Sequence, residues 1–239
     1  ENFKIEAQRK HIKLTIENLR GYGVLAAVEN ARAPTYDTQQ SLTPAKVLAL
    51  LKEGNERFVN NLNSNRNLLE QINDTRQGQF PIAIILSCMD SRTSVELIFD
   101  QGLGDVFSVR VAGNIINDDI LGSMEYACKL AGSKLIVVLG HSHCGAIKGA
   151  CAHVELDHLS GLLDKIKPAV DAVNAEQSRE VTANNDALVQ KVADKNVQLT
   201  VEQIRNKSPV LNAMIKSGDL VIVGAMYNIE TGKVKFNLD

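Results

Sequence analysis

The sequence predicts an α/β fold in which a mostly parallel β-sheet is flanked by helices. Residues 82–86 and 135–139 are unbroken apolar runs rich in Ile, Val and Leu, a pattern typical of strands that are covered on both faces. Helical segments separate the predicted strands, which indicates parallel pairing through crossover connections. With 239 residues, 44% of them apolar, the chain is long enough to bury a full core.

The segment before the sheet is predicted to be an arm. Residues 3–31 carry apolar side chains at roughly helical spacing, which predicts one or two amphipathic helices. Residues 34–43 are interpreted as a linker, and Thr43-Pro44 opens a helix that runs through residue 60. The arm has little core of its own, so it must pack on the body of the same chain or on a partner subunit. We therefore divide the chain into an arm and linker, residues 1–42, and one domain, residues 43–239.

The domain is predicted to alternate strands and helices. In chain order we expect a loop at 60–67, strands at 82–86, 106–111, 134–139 and 220–223, helices at 118–131 and 144–152, helical stretches over 159–206 interrupted at Pro168 and at 182–185, and a terminal hairpin over 227–236 that turns at Thr231-Gly232. Ligands of parallel sheets gather at the carboxyl ends of strands. Functional residues are therefore expected directly after the apolar runs.

Charge and hydropathy exclude several classes of partner. The 26 basic and 28 acidic side chains nearly cancel, so no overall field favours nucleic acid or an anionic membrane. No apolar run approaches the ~20 residues needed to cross a bilayer. We expect a soluble cytoplasmic protein, and a targeting segment upstream of Glu1 would instead indicate the periplasm or an organelle.

Sulfur and imidazole ligands follow two of the predicted strands. Cys88 comes directly after the first apolar run, and His141-x-x-Cys144 follows the run at 135–139. Two thiolates and one imidazole suit zinc and leave one tetrahedral position open, as in catalytic sites. The alternative is a buried structural cysteine beside an unrelated surface histidine. The spacing favours a single zinc ion.

A carboxylate and a guanidinium stand beside the first predicted ligand. Asp90 and Arg92 are two residues apart and can point the same way from an extended segment, where an Arg fork can hold a carboxylate bidentately. A surface ion pair is the simpler interpretation of these two residues. Next to a metal, Asp90 has two possible roles: it can take the fourth position on zinc, or it can accept a hydrogen bond from a zinc-bound hydroxide and orient it.

Residues 43–151 closely resemble the β-class carbonic anhydrases. Four blocks carry the resemblance, in the family's order: Cys88-x-Asp90-Ser91-Arg92, Arg110-Val111-Ala112-Gly113-Asn114, Gly122-Ser123-Met124-Glu125-Tyr126 and Gly140-His141-Ser142-x-Cys144-Gly145. The resemblance implies one Zn²⁺ per chain held by Cys88, His141 and Cys144, with Asp90 and Arg92 as the catalytic dyad. The implied reaction is the reversible hydration of carbon dioxide to bicarbonate by zinc-bound hydroxide.

The resemblance also distinguishes two subtypes. One subtype closes the site with the aspartate on zinc and uses a tryptophan three positions before the first cysteine, where this chain has Ile85 and no tryptophan anywhere. The other lines its substrate pocket with a glutamine, a phenylalanine and a tyrosine, which Gln79, Phe107 and Tyr126 match. We therefore expect an open site. Ala146 replaces a glycine found in many members. A homodimer or larger homo-oligomer is implied, with the arm on the partner and the pocket at the subunit boundary.

Two other functions are kept as alternatives. Relatives on the same fold hydrolyse carbon disulfide or carbonyl sulfide with the same ligands, and only access to the pocket would separate them from a carbonic anhydrase. A non-catalytic zinc-stabilised binding protein is the second alternative. Such a protein would need neither the Asp90–Arg92 dyad nor Gln79, so their presence in the chain counts against it.

Overall fold

A five-stranded sheet forms the centre of the computed structural model, which describes residues 31–177 and 181–236. The strands are β1 (Ala83–Ser87), β2 (Val106–Arg110), β3 (Leu135–His141), β4 (Val221–Tyr227) and β5 (Val234–Phe236). Their order across the sheet is β2-β1-β3-β4-β5, with β1 to β4 parallel and β5 antiparallel to β4. The predicted α/β class and its mostly parallel sheet are confirmed. The predicted helices over 3–31 lie almost wholly outside the described residues.

Helices cover both faces of this sheet. They are α1 (Tyr36–Ser41), α2 (Pro44–Val59), α3 (Leu68–Thr75), α4 (Val95–Ile98), α5 (Asp118–Glu125), α6 (Gly145–Cys151), α7 (Asp157–Leu163), α8 (Lys167–Gln177), α9 (Asp186–Lys207) and α10 (Pro209–Ser217). The side chains of β1 alternate between two apolar clusters: Ile84 and Leu86 belong to the cluster that includes residues of α9, and Ile85 belongs to the cluster that includes residues of α2. Burial on both faces explains why β1 and β3 are apolar without alternation.

Several boundaries follow from local chemistry that the sequence displays. Thr43 caps α2 by accepting a hydrogen bond from the Lys46 amide, and a proline follows it at the first turn. Asn185 caps α9 in the same way through the Leu188 amide, which ends the predicted interruption at 182–185. Gly232 takes a φ of 74° in the terminal hairpin, a conformation that glycine adopts without strain.

The linker prediction for residues 34–43 is wrong over most of its length, because α1 occupies Tyr36–Ser41. Thr35 caps this helix, and the buried Gln39 side chain donates to the carbonyl oxygens of Pro81 and Ala131. These bonds to the loops around the sheet hold α1 in place. The helical interruption predicted at Pro168 is present but falls slightly earlier, over residues 164–166, because Pro168 itself lies in the first turn of α8, where proline is tolerated.

Three helices were not expected from the sequence: α3, α4 and α10. The short α4 has only four residues, too few to show a period. The predicted helix at 118–131 is present, but it is α-helical only over α5 and continues as a π-helical turn over Tyr126–Leu130. Of the helices in the described ranges, none is long and apolar enough to cross a membrane.

Candidate metal centre

The three predicted zinc ligands meet at the carboxyl edge of the sheet. Cys88 follows the last residue of β1, His141 is the last residue of β3, and Cys144 caps the amino end of α6. Because β1 and β3 pair in parallel with Ser87 opposite Leu139, their ends lie side by side. Strand pairing therefore brings together ligands that are more than fifty residues apart in the chain.

The ligand atoms have the spacing that a tetrahedral zinc site requires. The two sulfur atoms of Cys88 and Cys144 lie 3.9 Å apart, and the ligand atoms of these cysteines and His141 all lie within 4.8 Å of one another. Two thiolates bound tetrahedrally at ~2.3 Å would stand about 3.8 Å apart. The sulfur separation is therefore close to the value for two ligands of one zinc ion and far too long for a disulfide bond.

The imidazole of His141 is oriented for a metal as well. Its Nδ1 lies 2.9 Å from the Ser142 carbonyl oxygen, so Nδ1 carries the proton and donates it. Its Nε2 is buried and has no hydrogen-bond partner among the described residues. A backbone carbonyl on one ring nitrogen and a metal on the other is the usual arrangement for a histidine ligand. The unpartnered Nε2 thus fits a metal at this position.

The two thiols differ in acidity although they lie side by side. A hydrogen bond from Cys144 lowers the pKa of Cys88, and contacts with His141 and the Gly113 amide add to the effect. The same hydrogen bond, together with burial, raises the pKa of Cys144. The pair therefore gives up one proton readily and holds the second. A metal that needs both thiolates must displace this second proton when it binds.

Asp90 and Arg92 form a bidentate pair beside the ligands. Nε of Arg92 donates to Oδ1 of Asp90 at 2.9 Å, its terminal nitrogen donates to Oδ2 at 2.7 Å, and its backbone amide also donates to Oδ1. These hydrogen bonds, led by the side-chain bonds from Arg92, hold the pKa of Asp90 well below its usual range. Asp90 is therefore ionised at neutral pH. It does not belong to the group of potential metal ligands that the described residues form.

Arg110 and Thr93 fix the backbone of the loop that carries this pair. The guanidinium of Arg110 donates to the carbonyl oxygens of Cys88, at 3.2 Å, and of Asp90, at 2.6 Å. The Thr93 hydroxyl lies within 2.9 Å of the same two carbonyl oxygens. Neither side chain was assigned a role from the sequence. Arg110 stood in a quoted motif, but nothing local indicated that its side chain reaches two carbonyl oxygens of the loop after β1.

The predicted substrate-pocket residues do not surround this centre within one chain. Phe107 and Tyr126 pack edge to face with ring centroids 6.2 Å apart and line a common open cavity. Phe107 pairs with Ile84, four residues before Cys88, so its level in the sheet is about 13 Å from that cysteine at ~3.3 Å per residue. Gln79 precedes β1 and lines a second cavity beside Tyr126. The three residues thus lie near one another and toward the opposite end of β1.

Other sulfur and imidazole groups are explained without a metal. Burial raises the pKa of Cys128 to about 12 and that of Cys151 to about 11, so both are neutral thiols, as expected for small buried side chains. His143 points toward Glu230, with Nε2 3.4 Å from a carboxylate oxygen. The Asn114 side chain has a buried Nδ2 without a hydrogen-bond partner among the described residues.

Comparison with known proteins gives a consistent result. A family model described as "Carbonic anhydrase" matches residues 83–234. "Carbonic anhydrase 2" of Mycobacterium tuberculosis is 36% identical over 198 residues, which cover 80% of this chain and 91% of that protein. A "Carbonic anhydrase" of Mycolicibacterium smegmatis is 34% identical over 200 residues, which cover 80% of this chain and 92% of that protein.

Solved structures with the same fold are also similar. The β-carbonic anhydrase CafA of Aspergillus fumigatus superposes with a TM-score of 0.63 at 27% identity, covering 80% of this chain and 89% of that one. One of two β-carbonic anhydrases from Sordaria macrospora, described as tetrameric, gives a TM-score of 0.62 at 27% identity, covering 67% and 82%.

Proposed function

Because the chain belongs to the β-carbonic anhydrase family, we propose that it catalyses the reversible hydration of carbon dioxide at a zinc centre held by Cys88, His141 and Cys144. The unpartnered, buried Nε2 of His141, facing two thiols 3.9 Å apart, is the observation that carries the proposal. This donor set suits zinc, and three protein ligands leave a fourth position for solvent or substrate. Zinc, when bound, supplies the Lewis acidity that makes water a nucleophile at neutral pH.

Asp90 and Arg92 orient the nucleophile. Arg92 donates a hydrogen bond to each carboxylate oxygen of Asp90 and keeps Asp90 ionised. An ionised carboxylate only accepts hydrogen bonds, so Asp90 can accept one from the attacking water and direct the oxygen lone pair at the carbon of carbon dioxide. One C–O bond forms while one C=O π bond of carbon dioxide opens and its electron pair moves to that oxygen; one O–H bond of the water breaks, its proton leaves to buffer, and the product is bicarbonate. Since Arg92 already holds Asp90, a zinc ion held by Cys88, His141 and Cys144 would have its fourth position free for solvent, which corresponds to the expected open site.

We place the substrate pocket at a boundary between two copies of the chain. Gln79, Phe107 and Tyr126 lie together but away from the metal ligands of their own chain. Phe107 belongs to β2, one of the two edge strands of the described sheet, and the open side of this strand offers unpaired backbone groups to another chain. In a symmetric dimer the same surface meets itself. Gln79, Phe107 and Tyr126 of one copy then face the metal centre of the other and line a pocket for an uncharged substrate.

Metal analysis combined with a hydration assay tests this function. We expect one zinc per chain in the purified protein and rapid carbon dioxide hydration in a stopped-flow pH-indicator assay. Cys144→Ser should lower both zinc content and activity. A protein that holds zinc but hydrates carbon dioxide no faster than buffer would contradict the proposal. The sulfur substrates are not favoured, and hydrolysis of carbon disulfide faster than hydration of carbon dioxide would reverse that choice.

A further inference from the structure

A buried asparagine on α9 is linked to the metal centre through one residue, Gly113, whose carbonyl oxygen and amide lie on either side of its Cα. Asn196 lies in the middle of α9, and only 3% of its surface is exposed. Its Nδ2 donates a 2.9 Å hydrogen bond to the Gly113 carbonyl oxygen. A buried amide is costly unless it is hydrogen-bonded, so this contact fixes both the side chain and the peptide that accepts from it.

The same glycine contacts a proposed zinc ligand from its other side. The Gly113 amide donates to Sγ of Cys88 at 3.4 Å. Gly113 has a φ of 71°, and an added Cβ would lie 2.6 Å from Cδ1 of Ile166. Both the positive φ and the contact with Ile166 favour glycine here. Since a glycine carries no side chain to anchor it, the peptide after Gly113 is held by its polar contacts: Asn196 donates to its carbonyl oxygen, and its amide, that of Asn114, donates to the Val111 carbonyl oxygen at 3.0 Å.

We propose that Asn196 is a positioning residue for the metal centre. By holding the Gly113 carbonyl, it keeps the Gly113 amide on the Cys88 sulfur. That amide withdraws charge from the sulfur and fixes which lone pair the sulfur presents to a metal. Partners of this kind orient metal ligands, and their loss typically weakens metal binding or activity about 10- to 100-fold. The proposal depends on the zinc site described above.

Zinc retention in two variants tests the inference. Asn196→Leu removes the donor at similar volume, and Asn196→Asp replaces the donor by an acceptor with the same shape. Each zinc-loaded variant is mixed with excess chromogenic chelator. We expect release about 10- to 100-fold faster than in the original protein. Cobalt(II) substitution gives a second readout, because loss of the amide hydrogen bond should move the thiolate-to-cobalt absorption band to longer wavelength.

Thr200→Val is the matched control, since Thr200 lies one turn further along α9 and is also 3% exposed. We expect this variant to release zinc at the original rate, with the cobalt band unmoved. Unchanged release and an unmoved band in a folded Asn196 variant would overturn the inference, and so would equally fast release from Thr200→Val. If the unsubstituted protein itself binds no zinc, the proposed function fails instead.

Discussion

Arg92 holds Asp90 through three hydrogen bonds, one from its backbone amide and two from its guanidinium, within a span of three residues. A guanidinium that only neutralised a surface charge would not need this bidentate geometry. The pair also remains partly accessible, with 18% of the Asp90 side chain exposed. Asp90 is thus ionised, fixed in direction and open to a small molecule, which is what a residue that orients a nucleophile requires.

Asp90→Asn is expected to abolish most of the hydration activity while zinc is retained. The amide keeps the shape of the carboxylate, but it cannot accept through both oxygens and no longer pairs with Arg92 as an ion. We expect kcat/KM for carbon dioxide hydration to fall at least about 100-fold, measured by stopped flow, with one zinc per chain by elemental analysis. Activity close to the original value would exclude the orienting role. Loss of zinc would instead identify Asp90 as a ligand.

The separation of Gln79 from the metal ligands leads to a second prediction, on mixed dimers. Gln79→Ala and Asp90→Ala should each be nearly inactive alone. If the pocket is completed by the partner, a mixed dimer contains one intact site, formed by Asp90 of one chain and Gln79 of the other. Random mixing makes half of the dimers mixed, so we expect recovery of about one quarter of the original activity.

The matched control for this experiment is a mixture of Asp90→Ala and Arg92→Ala. Both substitutions affect the same dyad, so every site in the mixed dimer keeps one defect and no recovery is expected. If activity is recovered in neither mixture, each site takes Gln79 and the dyad from the same chain, which contradicts a shared pocket. Sedimentation of the mixed sample checks that subunits have exchanged.

Much of the fold could be predicted because a strand that is buried on both faces is apolar at nearly every position, which the sequence shows directly. The apolar run before Cys88 and the run before His141 are β1 and β3, and their parallel pairing brings the three predicted ligands together as expected. Thr43-Pro44 marked the start of α2, and the predicted interruption at 182–185 ends where α9 begins. In each of these cases a local pattern is sufficient, since the strand or helix owes its position to its own residues.

The remaining features depend on contacts between distant residues. Gln39 is a polar residue in a polar segment, and only its bonds to Pro81 and Ala131 show that α1 is packed on the body. Asn196 carries no local sign of its contact with Gly113, eighty-three residues away. The relation of Gln79 to the metal centre depends on the whole length of β1. Such contacts arise from tertiary packing, which cannot be inferred from hydrophobic periodicity or from the spacing of motifs.

Arg110 is expected to support catalysis without touching the substrate. Its guanidinium holds the carbonyl oxygens of Cys88 and Asp90, so Arg110→Met keeps the apolar stem but frees the loop that carries both. We predict a loss of about 10- to 100-fold in kcat for hydration. Arg110→Lys should lose less, because an ammonium can still reach one carbonyl. Arg76→Met, at an exposed position, is the control and should leave kcat unchanged; an equal loss there would contradict this role for Arg110.

Asp100 is predicted to stabilise the fold in a pH-dependent way. Its side chain is 1% exposed and accepts from Arg57 at 2.5 Å, from Arg66 and from the Ser64 amide. Burial raises the pKa of Asp100, but these hydrogen bonds outweigh burial and leave the pKa below the ordinary value of 3.8. The ionised form is therefore favoured by folding. Its stabilisation is present above pH ~4 and is lost as the pH falls through the lowered pKa.

Asp100→Asn should accordingly cost about 3 kcal/mol of unfolding free energy at pH 7, because two guanidinium groups lose the charge that compensates them. The difference from the original protein should shrink as the pH is lowered below ~4, where the carboxylate of the unfolded chain is protonated first. Urea denaturation followed by circular dichroism from pH 7 to pH 3 measures both effects. Asp74→Asn, which removes an exposed pair with Arg32, is the control and should change stability little at any pH. If the unfolding free energy of Asp100→Asn stayed below that of the original protein by the same amount at every pH, packing and not charge would account for the lost stability.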